Sequence, residues 1–276
     1  MKHSSHRVAA VQMATGPDPD ANLREAERLI RGAAEAGAEL VVLPENFGFM
    51  GKSHRDLLGQ QERDGAGRLQ SFLSATAARY GIWLVGGTIP LATQAPGHVR
   101  AACLVFDGHG ERVARYDKIH LFDVDVPDTD ETYRESATIE PGDDILVIDS
   151  PCGRLGVAVC YDLRFPELFR HMLAGGVELL AIPASFTAAT GKAHWATLVR
   201  ARAIENLAYV IAAAQGGCHA NGRETYGRSM ILDPWGSVLD QLPRGAGFIC
   251  CPLDRDAQAS VRRSFPVLEH RRLKCR

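Results

Sequence analysis

Short apolar runs alternate with amphipathic stretches along the whole chain. Val8 to Met13 is apolar and rich in β-branched residues, as a strand requires, and the cluster of Pro17, Pro19 and Asp20 punctuates it. Leu23, Ala26, Ile30 and Ala33 then recur at helical spacing, up to Gly37. Leu40 to Leu43 is apolar at every position, which suits a central strand buried on both faces, and Glu45 stands just past its end. The same reading predicts a helix over Leu69 to Tyr80 and a strand over Ile82 to Val85. Strands at Ala101 to Phe106 and Arg112 to Tyr116 flank a hairpin turn, Asp107-Gly108-His109-Gly110. A loop-rich stretch runs from Phe122 to Asp144. Beyond it come a strand at Leu155 to Val159, a helix at Pro166 to Leu173 with proline in its first turn, and a strand at Leu179 to Pro183. A helix at Ala193 to Asn206 and a strand at Tyr209 to Ala213 follow. Short strands near Ser229 to Leu232, Ser237 to Leu242 and Phe248 to Leu253 precede a basic tail.

Strands that alternate with helices, with hairpins interspersed, predict an α/β fold of mixed sheets covered by helices and not a purely parallel barrel. No Pro/Gly/Ser-rich or charge-rich linker divides the chain, so residues 1–276 are expected to form one domain.

Composition narrows the function classes. Lys and Arg number 31 against 33 Asp and Glu, a formal charge of −2, which excludes a strongly basic nucleic-acid binder. Hydrophobic residues at 46% and charged residues at 23% are globular proportions. No apolar run approaches the roughly 18 to 20 residues that cross a bilayer, and the N-terminus passes straight into a strand pattern without a signal-peptide core. Seven scattered cysteines without a Cys-x-x-Cys pair predict reduced thiols in a cytoplasmic protein.

Three polar residues share one context, at or just past the end of a strand, where open α/β sheets place their ligand crevices: Glu45, Lys118 and Cys160. Cys160 stands where a strand turns sharply toward a proline-started helix, a pivot that exposes its side chain. A helix N-terminus and a nearby ammonium would favour its thiolate. Each residue alone also fits a plainer role: a buried small cysteine, a loop carboxylate, a solvated lysine. Together they fit amide cleavage, because a thiol attacking an amide needs a base, a donor for the oxyanion and an acid for the departing amine.

These segments resemble the nitrilase, or carbon–nitrogen hydrolase, superfamily. The likeness rests on Pro44-Glu45-Asn46, on the segment Tyr116 to Phe122 around Lys118, and on Cys160-Tyr161-Asp162-Leu163-Arg164-Phe165-Pro166-Glu167-Leu168. It extends from Val11-Gln12-Met13 to the Pro266 to Arg272 tail. It implies an α-β-β-α sandwich and a triad in which Glu45 is the general acid/base, Lys118 the oxyanion cation and Cys160 the nucleophile. Glu135 falls where the family has a second glutamate, and the chemistry requires no metal or cofactor.

Within the superfamily, Ala212-Ala213-Ala214-Gln215, Tyr226 to Met230 and Asp233-Pro234-Trp235-Gly236 look most like the small Nit-type amidases. That implies hydrolysis of the terminal amide of a small carboxylate-bearing substrate, through a cysteine thioester and with ammonia release. Deaminated glutathione is the first expectation, and α-ketoglutaramate or α-ketosuccinamate, the omega-amidase substrates, the alternative. A carboxylate-bearing substrate needs a cation besides Lys118. Arg164 is the candidate, although it could equally pair with Asp162 or Glu167. Tyr161 offers its backbone N–H to the oxyanion. Phe186 is expected to wall the pocket, and Thr187 and Thr190 to offer hydroxyls, or else simply to cap a helix.

Other classes fit less well. For a metal or redox protein, His3 and His6 lie at the terminus, adjacent Cys250 and Cys251 point to opposite strand faces, and His194 and His219 lack partners at zinc spacing. A papain-like Cys/His protease lacks its local signature. His120 would share the face of Lys118 if that strand continues. A catalytically silent binding protein of the same fold should lack one of the four polar residues, and none is missing. The tail, residues 261–276, mixes Arg262, Arg263, Arg271, Arg272, Lys274 and Arg276 with Phe265, Val267 and Leu268, a composition that fits packing on a partner subunit in a homodimer.

Overall fold

The computed structural model describes residues 6–127, 131–220 and 222–273. His3 and the tail residues Lys274, Cys275 and Arg276 lie outside the described residues.

Two mixed sheets face each other. The first runs β15 (Gly247–Leu253), β1 (His6–Gln12), β2 (Leu40–Val42), β3 (Trp83–Val85), β5 (Val99–Phe106) and β4 (Ile89–Ala92), with β6 (Arg112–Asp117) on the other edge of β5. The second runs β14 (Val238–Gln241), β13 (Met230–Leu232), β12 (Tyr209–Ala214), β11 (Leu179–Ala184), β10 (Gly153–Val157) and β9 (Val147–Ser150). The strands β1, β2 and β3 are mutually parallel, as are β10, β11 and β12, and antiparallel strands flank both sets. Pro183, with no N–H to give, sits where β10 has already stopped pairing with β11 at Ala181.

Period-two alternation decides the layers. Along β1, Ala9 and Val11 pack outward with Leu29, Ile30 and Ala33 of helix α1 (Pro19–Glu35) and with Leu73 and Ala77 of α2 (Arg68–Tyr80). Val8 and Ala10, on the other face, pack inward with Val157, Ile182 and Ile211 of the second sheet. That second sheet is covered in turn by α3 (Pro166–Ala174) and α5 (Ala196–Asn206), which follows the three-residue turn α4 (Ala188–Thr190), through Phe169, Met172, Val199 and Ala203. The result is the α-β-β-α sandwich expected from the family resemblance.

Several elements depart from the hydropathy reading. The strands β4 and β9 and the helix α6 (Arg255–Ser264) were not marked by it. The 122–144 stretch is not all loop: Asp123–Asp125 (β7) and Thr132–Arg134 (β8) pair as an antiparallel hairpin, Val124 opposite Tyr133. These strands are too short and too exposed to show a periodic apolar face. The helix expected from Ala193 starts as a π-helical turn over Gly191–Trp195, where a Cβ on Gly191 would lie 2.3 Å from Tyr226 Cβ. The beginning of the tail is the end of α6, and Arg262 is folded back: its Nε and Nη2 donate to the carbonyls of Leu207 and Val177 at 3.0 and 2.8 Å. It thereby gives donors to carbonyls just past the ends of α5 and α3. Among the described residues no helix is long and apolar enough to cross a membrane.

Candidate active site

The polar residues that end neighbouring strands converge on one cavity. Glu45 follows β2, Lys118 follows β6, Cys160 lies three residues after β10, and Ser185 follows β11. All four are buried. The chain bends sharply at two of these strand ends: Cys160 itself has φ +48° and Asn46, next to Glu45, has φ +58°. A left-handed conformation in a residue with a Cβ costs on the order of 1–3 kcal/mol and persists only where the surroundings over-determine it. At Glu45 the surroundings include Gly87, where a Cβ would lie 2.1 Å from the Pro44 carbonyl oxygen. Thr88 Oγ1 also accepts from the Asn46 N–H at 2.9 Å. Gln215, at the end of β12, donates to the Glu45 carbonyl at 2.9 Å.

Lys118 is the hub. Its Nζ donates to Glu45 Oε1 at 2.8 Å and to both oxygens of Glu135 at 2.8 and 2.9 Å. Glu135 is brought there by the β7–β8 hairpin, and its Oε2 also accepts from the Phe122 N–H at 2.7 Å. Burial alone would discharge the ammonium, yet Glu135 and Glu45 outweigh it and hold Lys118 well above its ordinary value. Burial also opposes the Glu45 carboxylate, but Lys118 and the hydrogen bond from Ser185 leave it below the usual glutamate value. Ser185 Oγ donates to Glu45 Oε2 at 2.5 Å.

The nucleophile candidate behaves differently from the sequence expectation. Burial, reinforced by the Glu45 charge, pushes the Cys160 thiol up, against the pull of Lys118 and of the Ser185 N–H, which lies 3.5 Å from Sγ. The thiolate is not favoured at rest. A five-residue 3-10 turn, Cys160–Arg164, separates the sulfur from the Pro166 helix, so no helix N-terminus acts on it directly. Deprotonation must come from a neighbouring base, and Glu45 is within hydrogen-bonding reach.

Behind the cysteine, Asp162 is fully buried and saturated. It accepts from Tyr116 Oη at 2.7 Å, the Val159 N–H at 2.8 Å, the His120 N–H at 2.9 Å and His120 Nδ1 at 2.7 Å. One carboxylate thus ties the lysine segment to the cysteine turn. His120 does not share the face of Lys118, because β6 ends at Asp117. Its ring instead stacks on Phe165 at 3.7 Å.

The cavity wall sorts the remaining expectations. Tyr161, Arg164, Phe186 and Thr190 line it, and Thr187 does not. Thr187 caps the turn at α4, its Oγ1 accepting from the Thr190 N–H at 3.2 Å and pairing with Thr190 Oγ1 at 2.9 Å. Arg164 pairs with neither Asp162 nor Glu167. Its Nη1 lies 3.2 Å from His194 Nδ1, and its guanidinium lies over the rings of Phe186 and Tyr161 at 5.3 and 5.8 Å. Three lining residues escaped the sequence reading: Ser185, His54 and Arg223. Ser185 obeys the strand-end rule and was legible by it. His54 opens a 3-10 helix over His54–Gln60 and Arg223 stands in a loop, and neither carries a local signal. Burial, opposed by Glu135 but joined by Arg223, pushes His54 below its ordinary value, which leaves the imidazole neutral at pH 7. Among the described residues no cluster of His, Cys, Asp and Glu is arranged to hold a metal ion.

Comparison with known proteins shows the family. A family model described as carbon-nitrogen hydrolase matches residues 7–263. The deaminated glutathione amidase of Yersinia enterocolitica is 41% identical over 96% of this chain and 92% of its own length. The structure of Saccharomyces cerevisiae Nit3, a member of branch 10 of the nitrilase superfamily, superposes with a TM-score of 0.87 at 31% identity, covering 98% of this chain and 97% of that one. A mutant amidase from Nesterenkonia sp. AN1, carrying acrylamide added at its active-site cysteine, superposes with a TM-score of 0.76 at 28% identity, over 94% of this chain and 99% of that one.

Proposed function

The chain belongs to the carbon–nitrogen hydrolase family and is an amidase, and from that premise we propose that it cleaves deaminated glutathione through a thioester on Cys160. The observation that carries this reading is the Lys118 ammonium, clamped between Glu45 and Glu135 in the cavity that also holds the Cys160 sulfur.

In the proposed reaction, Cys160 Sγ attacks the amide carbon while Glu45 takes the thiol proton. Lys118 Nζ and the Tyr161 backbone N–H receive the oxyanion. Collapse of the tetrahedral species breaks the C–N bond, and Glu45 hands its proton to the departing amine. Glu45 then deprotonates a water that attacks the thioester. The second collapse releases a carboxylate and returns the proton to Cys160. Glu135 keeps Lys118 charged and aimed. The departing amine is ammonia for a primary amide such as α-ketoglutaramate. For deaminated glutathione, whose scissile bond is the former γ-glutamyl link, it is cysteinylglycine.

The α-keto acid end of either substrate carries a carboxylate. Arg164, free of any carboxylate partner among the described residues, is proposed to hold it, with Phe186, Tyr161 and Thr190 shaping the wall. Assay of the purified protein on deaminated glutathione and α-ketoglutaramate tests the substrate assignment; a clear preference for the latter would reverse it. A burst of acyl-enzyme with an activated substrate would set aside the silent binding protein.

A cytoplasmic homodimer of a single 276-residue domain completes the reading. The support for a dimer is an exposed apolar face where Trp235 and Phe265 meet edge to face at 5.4 Å and Gly236 abuts the exposed Ile204. Light scattering should give particles of twice the 30.0 kDa chain mass.

A further inference from the structure

A second cavity opens beside the catalytic one, and the charged residues described around it have a single sign. It shares Asn46, His54 and Arg223 with its neighbour. Lys52, Arg55, Arg134 and Arg223 line it, and among the described residues no Asp or Glu does. Composition does not account for that, since the whole chain carries a formal charge of −2. Two of the four cations are committed. Arg134 pairs with Asp125 at 2.8 Å, while Arg223 donates to the Ser185 carbonyl and lies over the Tyr133 ring at 5.0 Å. Lys52 and Arg55 have no carboxylate within salt-bridge distance among the described residues. Asp56, the acid next to them in the sequence, is turned to the backbone, its Oδ2 accepting from the N–H groups of Lys52 and Ser53 at 2.7 and 3.1 Å. In the catalytic cavity, by contrast, two carboxylates offset Lys118.

We infer that this vestibule binds the leaving half of the substrate, an amine fragment of dipeptide size that ends in a carboxylate, with Lys52 and Arg55 as its specificity-determining cations. The inference rests on the reading that an amide is cleaved at Cys160. Deaminated glutathione has a carboxylate at each end and its scissile amide between them. With the α-keto acid end beside Arg164, the cysteinylglycine end extends past Asn46 and His54 into the vestibule. A cleft with one sign of charge also concentrates anions at its mouth, an effect that falls with ionic strength. An amide that releases only ammonia places nothing there.

The double variant Lys52→Met/Arg55→Gln tests this, since both residues are exposed and outside the catalytic network. The ratio of kcat/KM for deaminated glutathione to that for α-ketoglutaramate should fall about tenfold, through KM for the longer substrate. N-acetylcysteinylglycine, titrated calorimetrically into the wild-type protein, should bind, and the double variant should bind it at least tenfold more weakly. An unchanged ratio, or failure of the wild type to bind this probe, overturns the inference. Probe binding lost in the double variant, by a protein that turns over neither amide, would keep the vestibule and overturn the substrate reading alone.

Discussion

The catalytic cavity and the vestibule adjoin and share three residues, yet they handle charge in opposite ways. Around the catalytic residues the charges are buried and answered: Lys118 by two carboxylates, Glu45 by Lys118 and Ser185, and, behind the cysteine, Asp162 by four donors. In the vestibule three of the four cations, Lys52, Arg55 and Arg134, are exposed, and two of them meet no acid within the described residues. Buried charges cannot be rearranged by solvent, so their geometry is held and their removal is costly; exposed ones stay free for an incoming anion and are screened by salt. Substitutions should therefore act through kcat and stability in the cavity and through KM in the vestibule.

The sharpest break in that contrast is Cys160→Ala, which should cut amide hydrolysis by at least about 10³-fold in an ammonia- or amine-release assay while leaving the fold intact. Near-normal release would remove the nucleophile assignment. Next, Lys118→Met strands two buried carboxylates. Denaturant unfolding should show a loss of about 3–5 kcal/mol, and kcat should fall by about 10²–10³-fold. Third, Asp162→Ala orphans Tyr116 Oη and the Val159 N–H in the core and unties the lysine segment from the cysteine turn. A stability loss on the order of 3 kcal/mol is expected, with kcat reduced more than KM is raised. If KM alone moved, Asp162 would not be positioning the nucleophile. Arg164→Lys, a change in the cavity wall outside the buried charge network, should raise KM for keto-acid amides about tenfold with a small effect on kcat, because a lysine loses the planar two-bond grip on a carboxylate.

The smallest effect is the acid limb of the pH profile. Glu45 works as a base only when ionised, and the folded protein lowers its pKa from the ordinary glutamate value. Activity should hold as pH falls to about 4.3 and drop only below it, provided the protein stays folded. An acid limb centred near pH 6 would contradict a base held charged by Lys118.

Much of this molecule was legible along the chain. Apolar runs located β1, β2, β11 and β12, helical periodicity located α1 and α2, and the rule that polar residues end buried strands picked out Glu45, Lys118 and Cys160. Those signals are local: a strand buried on both faces must be apolar throughout, and a polar side chain at its end has few structural uses. The rule also reaches Ser185, which follows the last residue of β11. It fails for Glu135, visible only by family resemblance, because the hairpin that carries it is exposed and leaves no periodic trace.

What the chain order could not decide was which of these residues meet and in what state. The thiol stays protonated because burial and the Glu45 charge outweigh Lys118, a balance of distances and not of residue types. Thr187 caps a turn and His120 faces Asp162 because their strands stop where they do. Arg164 proved free of both acids near it in sequence, since Asp162 was already saturated by partners up to 46 residues away. The sequence determined the layers and the reactive groups, since periodicity and side-chain chemistry are properties of single segments. Ionisation, pairing and the one-signed vestibule depend on contacts between segments, which come into being only when the two sheets close face to face.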